Sequence, residues 1–244
     1  MSNYKVQTYL ASEKKFDESV LIVPFFGAEL SQLRRHIQFL NELGFDVYAI
    51  QFSEPRPRHW FTWNGGFKLG LKHRWAREIS LALNRLPGKK IIYGFSNPAS
   101  SAIEAVSIRR ARDVVGAVCD SGPFMSLWKC NWRYLTESYG VTSPTAKFPL
   151  AVATLFLWGA DHETSLSKDF EKLPGGFPIL SIRGWRDKIV PVSAIEEAFN
   201  HAPQVDLTIL SLPDADHLDG LKKFPELYES KVAEFMCQIA QKTQ

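Results

Sequence analysis

Six short segments of the chain consist mainly of apolar residues and show no regular alternation of apolar and polar positions. They occupy residues 19–24, 46–52, 90–93, 114–119, 178–182 and 206–210. Strands that helices cover on both faces of a parallel sheet have continuous apolar runs of this kind. We therefore interpret these segments as buried β-strands.

Between the strands, apolar residues recur at intervals of three and four, which is the spacing of one face of an α-helix. Residues 30–43 follow this pattern and stop before Gly44, a residue type that commonly ends helices. Similar patterns predict helices over 68–86 and 225–240. The alternation predicts an α/β protein with a mostly parallel, doubly wound sheet, and the length suits a single domain over residues 1–244.

One long connection, between the strands at 114–119 and 178–182, contains several aromatic residues and no central strand. Connections of this length without regular structure are rare in compact domains. We therefore predict a small helical insertion over about 121–173, which forms a lid above one edge of the sheet. The apolar run at 149–158 is too short to cross a bilayer, so we expect no stable membrane insertion.

The composition is that of an ordinary globular protein, with 45% apolar and 23% charged residues. The formal net charge of +3 gives no reason to expect a polyanionic partner such as nucleic acid. The first residues lack the apolar segment of a signal peptide. The three cysteines, Cys119, Cys130 and Cys237, have no metal-like spacing. Free thiols and a cytoplasmic location are the expectation.

Three further features bear on cofactors and partners. The stretch 56–66 mixes basic and aromatic residues, as nucleic-acid surfaces do, but the low net charge favours a loop beside the functional site. Residues 161–163 read Asp-His-Glu without a second pair at metal-ligand spacing. No G-x-G-x-x-G sequence follows a strand. We therefore predict no metal, no cofactor and no nucleic-acid partner.

The candidate chemistry begins with the sequence YGFSNP at 93–98, where a predicted strand gives way to a segment of small residues. Ser96 lies at this corner, while Asp187 and His217 each follow a later predicted strand. In an open parallel sheet, functional residues gather at the carboxyl ends of the strands. We therefore expect these three side chains to lie close together.

These residue types suit nucleophilic catalysis. A serine hydroxyl needs a base to remove its proton, a neutral imidazole is such a base, and a carboxylate fixes the imidazole tautomer. Simpler interpretations exist for each residue. Ser96 can be a helix N-cap, His217 a surface residue and Asp187 a turn residue. Asp120, at the end of the strand at 114–119, is a rival for the role of the acid.

The chain resembles the α/β-hydrolase superfamily over about residues 18–240. The matching segments are VLIVPFFGAE at 20–29, DVYAIQF at 46–52, YGFSNP at 93–98, IRGWRDKIVP at 182–191 and PDADHLDGLKKFPELYESKVAEF at 213–235. The order serine, acid, histidine is also that of the superfamily. The resemblance implies Ser96 as nucleophile, Asp187 as acid and His217 as base. FSN, CDSGP and FPELY give a weaker likeness to the uncharacterised hydrolase-like family that includes transmembrane protein 53.

Two positions depart from the superfamily pattern. Pro24 and Phe25 replace the usual His-Gly, so the backbone N–H of Phe26, or of Phe25, must supply one oxyanion contact, with Asn97 supplying the other. Pro98 stands where the superfamily prefers glycine, although proline suits the first turn of a helix.

The sequence therefore predicts a carboxylesterase-like serine hydrolase that cleaves a carboxylic ester or thioester through an acyl-enzyme, with a small-molecule acyl ester as its substrate. Phe25, Trp128, Trp132 and Trp158 are the predicted substrate-binding residues. Two alternatives stay open. The same three residues can transfer the acyl group to an acceptor other than water, or the chain can be a binding protein that has kept only the fold.

Overall fold

A computed structural model of the chain describes residues 4–53, 61–63 and 66–242. The strands are β1 (Lys5–Tyr9), β2 (Ser19–Val23), β3 (Asp46–Gln51), β4 (Phe61–Trp63), β5 (Phe67–Leu69), β6 (Lys90–Phe95), β7 (Val114–Asp120), β8 (Pro178–Gly184) and β9 (Asp206–Leu212). Seven of them form one sheet in the order β1-β3-β2-β6-β7-β8-β9. Only β1 runs antiparallel to its neighbour in that sheet. The prediction of a mostly parallel sheet is confirmed.

A short 3-10 helix (Leu30–Leu33) precedes the first of the α-helices. These are α1 (Arg34–Leu43), α2 (Leu71–Leu83), α3 (Pro98–Arg109), α4 (Leu127–Glu137), α5 (Pro144–Trp158), α6 (His162–Glu171), α7 (Val192–Asn200), α8 (Gly220–Lys223) and α9 (Pro225–Ile239). None of the helices among the described residues is long and apolar enough to cross a membrane.

Both faces of the sheet are covered, which explains the continuous apolar runs. In β2, Leu21 and Val23 pack into the core that α2, α3, α6 and α7 form with one face of the sheet. Their neighbours Val20 and Ile22 pack into the second core, with α1 and α9. Burying a valine, leucine or isoleucine side chain contributes about 1.5–3 kcal/mol, so neither face of such a strand tolerates alternation with polar residues.

The strands that the sequence did not predict are short or lie at an edge. β1 is the outer strand and pairs only with β3, and none of its five residues is buried, so it lacks the continuous apolar run of the inner strands. The hairpin β4–β5 has three residues in each strand and replaces the beginning of the helix predicted at 68–86. The basic and aromatic stretch 56–66 lies mostly outside the described residues.

The segment between β7 and β8 contains three helices with two different roles. α6 packs on α3, and its residues Leu166 and Phe170 lie in the core, as expected for the helix that connects two parallel strands. α4 and α5 pack against each other instead, and side chains from both line the cavity that contains Ser96. The part of the insertion that covers the site is therefore α4–α5, and α6 belongs to the main α/β layer.

A cluster of charged side chains is buried where α2 meets α3 and α6. Lys72 contacts Asp169 at 2.9 Å and Glu104 at 3.4 Å, and all three side chains are nearly inaccessible. The imidazole of His73 lies between Glu104, 2.8 Å from Nδ1, and Asp161, 2.9 Å from Nε2. Burial alone would lower the pKa of His73, but the hydrogen bonds to these carboxylates raise it. The cluster joins the end of the α4–α5 lid to the main layer, since Asp161 lies in the short connection between α5 and α6.

Candidate active site

Ser96 occupies a sharp turn between β6 and α3. Its φ of 50° is in the left-handed region, which non-glycine residues adopt at a cost of about 1–3 kcal/mol. The backbone N–H of Ser96 donates to the carbonyl of Asp120 at 2.8 Å. Pro98 is the first residue of α3, where its missing N–H leaves no helical hydrogen bond unmade. Proline at this position is thus compatible with the turn.

Two glycines allow the chain to approach this turn closely. A Cβ atom on Gly94 would lie 3.0 Å from Cα of Ala99, and one on Gly122 would lie 2.3 Å from the carbonyl oxygen of Ser96. The segment after β7 therefore presses directly on the backbone of Ser96. The sequence alone did not identify Gly122, because the residues around it give no sign that it contacts the turn between β6 and α3.

We expect Gly122→Ala to destabilise the protein and displace Ser96. The new methyl group would overlap backbone atoms that cannot move aside independently, which typically costs about 1–3 kcal/mol. Thermal unfolding should show a lower melting temperature than that of the wild type, and a fluorophosphonate should label Ser96 less. Gly175→Ala is the matched control, since a Cβ atom there meets no other atom within 4 Å. Equal behaviour of the two variants would contradict the proposed contact.

Ser96, His217 and Asp187 form one hydrogen-bonded series. Oγ of Ser96 lies 3.0 Å from Nε2 of His217, and Nδ1 of His217 lies 2.7 Å from Oδ2 of Asp187. The other carboxylate oxygen of Asp187 accepts from the backbone N–H groups of Ile189 and Val190, at 2.8 and 2.7 Å. Those two bonds fix the carboxylate so that Oδ2 faces the imidazole. The structure thus brings together the three residues that the sequence predicted as partners.

Asp120, the rival acid, does not contact His217. Its carboxylate accepts from the hydroxyl of Tyr228 at 2.6 Å and from that of Ser121 at 2.9 Å. Tyr228 in turn contacts the hydroxyl of Tyr93 at 2.5 Å. Ser121 accepts from the backbone N–H of Leu218, so this buried network supports the loop that carries His217. Sequence reasoning missed the network because it joins residues far apart in the chain.

We expect the stability contributed by Asp120 to fall as the pH rises. Burial raises its pKa to about 6, although hydrogen bonds from Tyr228 and Ser121 oppose the shift. A carboxyl group of this kind stabilises the fold fully below its unfolded pKa, about 4, and loses that contribution as the pH passes its folded pKa. The unfolding free energy of the wild type, relative to Asp120→Asn, should therefore drop by on the order of 2 kcal/mol between about pH 4 and 7. Denaturant titrations across this range measure it, and a constant difference would contradict the assignment.

The backbone N–H groups of Phe26 and Asn97 are those that the sequence predicts for an oxyanion site, and both residues line the cavity that contains Ser96. Neither donates a hydrogen bond to any described part of the protein. The ring of Phe26 packs on Trp75, with 5.7 Å between ring centroids, which holds this loop beside the turn. Their role in binding an oxyanion stays a prediction.

A cavity of about 380 Å³ opens above Ser96. Its walls come from the loop after β2, the Ser96 turn, the lid and the His217 loop, and include Phe25, Asn97, Phe124, Trp158 and Leu218. The thiol of Cys130 also lines it, and burial raises the pKa of this thiol to about 12. Phe25 and Trp158 thus line the cavity beside Ser96, while their role in binding a substrate stays a prediction.

Trp128 and Trp132 lie elsewhere, and the prediction that they line this cavity is wrong. Residues four apart share one face of a helix, and the cavity receives Cys130 and Tyr134 from α4. Trp128 and Trp132 occupy the opposite face, where they border a separate surface recess. Hydrophobicity alone could not distinguish the two faces, since both carry large apolar residues.

Within residues 4–53, 61–63 and 66–242, no group of three or more His, Cys, Asp or Glu side chains is placed to hold a metal ion. His162, in the metal-like sequence at 161–163, is buried and bonds to Trp158 and to the carbonyl of Phe124. Its role is structural.

No protein-family model matches the sequence, and no curated protein matches it. Solved structures do. An esterase from Pyrococcus furiosus is 19% identical with a TM-score of 0.66, over 98% of this chain and 92% of that one. A monoacylglycerol lipase from Paleococcus ferrophilus is 19% identical with a TM-score of 0.67, over 97% and 99% of the two chains. A bromoperoxidase from Bacillus anthracis has a TM-score of 0.67 at 11% identity, over 97% and 96%. The chain has the α/β-hydrolase fold.

Proposed function

We propose that the protein is a serine hydrolase that cleaves carboxylic esters or thioesters through an acyl-enzyme. The observation that carries the proposal is the hydrogen-bonded series from Ser96 through His217 to Asp187, with Ser96 at the floor of a largely apolar cavity. A structural neighbour named as an esterase and another named as a monoacylglycerol lipase support the ester class.

In the proposed mechanism, Oγ of Ser96 attacks the ester carbonyl while Nε2 of His217 takes the hydroxyl proton. The N–H groups of Phe26 and Asn97 bind the oxyanion that forms. Collapse of this intermediate breaks the bond to the leaving alcohol or thiol, which takes the proton from His217. Water then attacks the acyl-enzyme with His217 again as base, and Ser96 is released with the acid product.

Asp187 acts in this mechanism by holding His217. Its carboxylate accepts from Nδ1–H, which leaves the lone pair of Nε2 directed at Ser96, and it stabilises the imidazolium that forms. Cys130 does not compete as nucleophile, because a thiol with a pKa near 12 stays protonated at neutral pH.

The alternative of a binding protein without catalysis rests on Pro24 and Pro98. Pro98 begins α3 and leaves the N–H of Asn97 in place, so it gives no reason to exclude catalysis. Pro24 has no backbone N–H, but Phe25 and Phe26, which follow it, each have one.

A fluorophosphonate probe and a series of para-nitrophenyl esters of increasing acyl length test the proposal. We expect the probe to label Ser96, identified by mass spectrometry, and at least part of the series to be hydrolysed. If the probe labels Ser96 but the acyl group of the esters passes only to an added alcohol and not to water, the protein is an acyltransferase instead. A folded protein that neither reacts with the probe nor turns over any ester would refute the proposal.

A further inference from the structure

The hairpin β4–β5 turns apolar side chains toward solvent and polar ones toward the protein. Four large apolar side chains share one face of it and are between 48% and 71% exposed, namely Phe61, Trp63, Phe67 and Leu69. On the other face, Thr62 is buried and Lys68 pairs with Asp161 at 3.7 Å. A sheet with one solvated face normally has the reverse arrangement. The exposed face of the hairpin therefore suits contact with something less polar than water.

The outer surface of α5, next to this hairpin, is also apolar. Beyond Lys147 the helix contains no charged residue, and its exposed positions are Phe148, Pro149, Leu150, Ala153 and Phe156. A surface helix usually carries polar residues on its outer side. The hairpin adjoins the end of α5, because Gly70, directly after β5, lies so close to Trp158 that a Cβ atom on it would overlap the carbonyl of that residue.

Two cations lie beside the outer surface of α5. Lys129 and Arg133, from α4, line a surface recess together with the rings of Trp128, Trp132 and Phe148. Neither cation forms an ion pair with a carboxylate in the part of the chain that the structure describes. Residues 127–158 contain three basic side chains and one acidic one, a net +2 of the +3 carried by the whole chain. The apolar surface thus has a basic border.

Aromatic rings combined with lysine and arginine are typical of protein surfaces that bind where the headgroups of a bilayer meet its acyl chains. The rings enter this region, and the cations attract anionic headgroups. We propose that the exposed hairpin face, the outer surface of α5 and the recess dock together on the surface of an anionic lipid bilayer, without crossing it. A second copy of the chain is a poorer occupant, since the basic borders of the two copies would repel each other.

Docking would also position the cavity above Ser96. The helices α4 and α5 that carry the docking surface also contribute Tyr134 and Thr154 to the walls of that cavity. A docked protein would therefore hold the cavity close to the bilayer. Docking itself needs no turnover at Ser96, so its failure and the failure of the proposed function are separate results.

Sedimentation of the whole chain with lipid vesicles tests the proposal. The vesicles contain phosphatidylcholine alone, or phosphatidylcholine and phosphatidylserine in equal amounts. We expect the wild type to bind the mixed vesicles about tenfold or more tightly than the neutral ones, because each cation near an anionic surface adds to the attraction. Added salt should weaken binding to the mixed vesicles, since it screens these charges.

Two double variants separate the contributions of charge and apolar surface. Lys129→Gln with Arg133→Gln should lower affinity for the mixed vesicles by about tenfold and leave binding to neutral vesicles almost unchanged. Phe67→Ser with Phe156→Ser should lower affinity for both kinds of vesicle by about tenfold, because two rings no longer enter the bilayer. Both phenylalanines are exposed, so the melting temperature should change little.

Matched control pairs exist at the opposite end of the sheet, where the parallel strands begin. Lys89→Gln with Arg112→Gln removes the same charge, and Leu10→Ser with Ile108→Ser removes two exposed apolar side chains. Both control pairs should bind vesicles as the wild type does. The proposal is wrong if the wild type binds neither kind of vesicle, if it binds both equally, or if the controls lose as much affinity as the other pairs. Self-association that Phe67→Ser with Phe156→Ser abolishes, without vesicle binding, would assign the surface to a second copy instead.

Discussion

The Ser96→Ala variant is expected to lose hydrolysis of activated esters by about 10⁴-fold or more and to lose all labelling by a fluorophosphonate. Without Oγ no acyl-enzyme forms, and His217, 3.0 Å from that oxygen, has no proton to remove. Removing one hydroxyl leaves the backbone of the turn unchanged, so the melting temperature should stay within a few degrees of the wild type, about the effect of 1 kcal/mol or less. Steady-state kinetics and thermal unfolding measure the two quantities.

Ser101→Ala is the control for this experiment. Ser101 is fully buried one turn into α3, and its hydroxyl has no hydrogen-bond partner among the described residues. Replacing it removes a buried serine near the site without touching His217, so activity and labelling should persist. Turnover by Ser96→Ala at the rate of the wild type would exclude Ser96 as nucleophile.

The second large effect is expected for Asp187→Asn, which should lower kcat by about 10⁴-fold while KM changes little. The amide group of the new side chain would donate a hydrogen bond to Nδ1 of His217 at the position where the carboxylate now accepts one. The imidazole would then carry its proton on Nε2, facing Ser96, and could no longer act as base. The amide oxygen can still accept from the N–H groups of Ile189 and Val190, so the loop should keep its structure. The kinetics are compared at a pH where the imidazole is neutral.

Asp120→Asn is the matched control, because Asp120 is a buried carboxylate close to the site that bonds to Tyr228 and Ser121 instead of His217. Its kcat should fall by less than about tenfold, since the imidazole keeps its tautomer. If Asp120→Asn were the inactive variant and Asp187→Asn the active one, the role of the acid would pass to Asp120.

The parts of the molecule that could be predicted from sequence are those that follow from local patterns. Continuous apolar runs identified the buried strands, because both faces of each are covered. Ser96, Asp187 and His217 could be grouped because each follows a parallel strand, and such strand ends converge at one edge of the sheet. The three side chains do lie within hydrogen-bonding distance, while their roles in catalysis stay predictions.

What could not be predicted depends on how helices and loops face one another. Trp128 and Asn131 are three residues apart in one helix, yet only Asn131 lines the cavity. Their sequence gives no indication of the rotation of α4, which its packing against α5 determines. Gly122 and Tyr228 act through contacts with distant segments, and a single sequence contains no signal for such pairs.

The contact of Gly122 with Ser96 has a consequence for how the protein folds. The turn that holds Ser96 is supported by the end of β7, and its partner His217 is 121 residues further along the chain. Loops of that length lose much conformational entropy on closing, so such pairings form late and slowly. During refolding, secondary structure should therefore return before the pairing of Ser96 with His217. Recovery of any activity that needs this pair would then mark the assembly of the part of the sheet from β6 to β9.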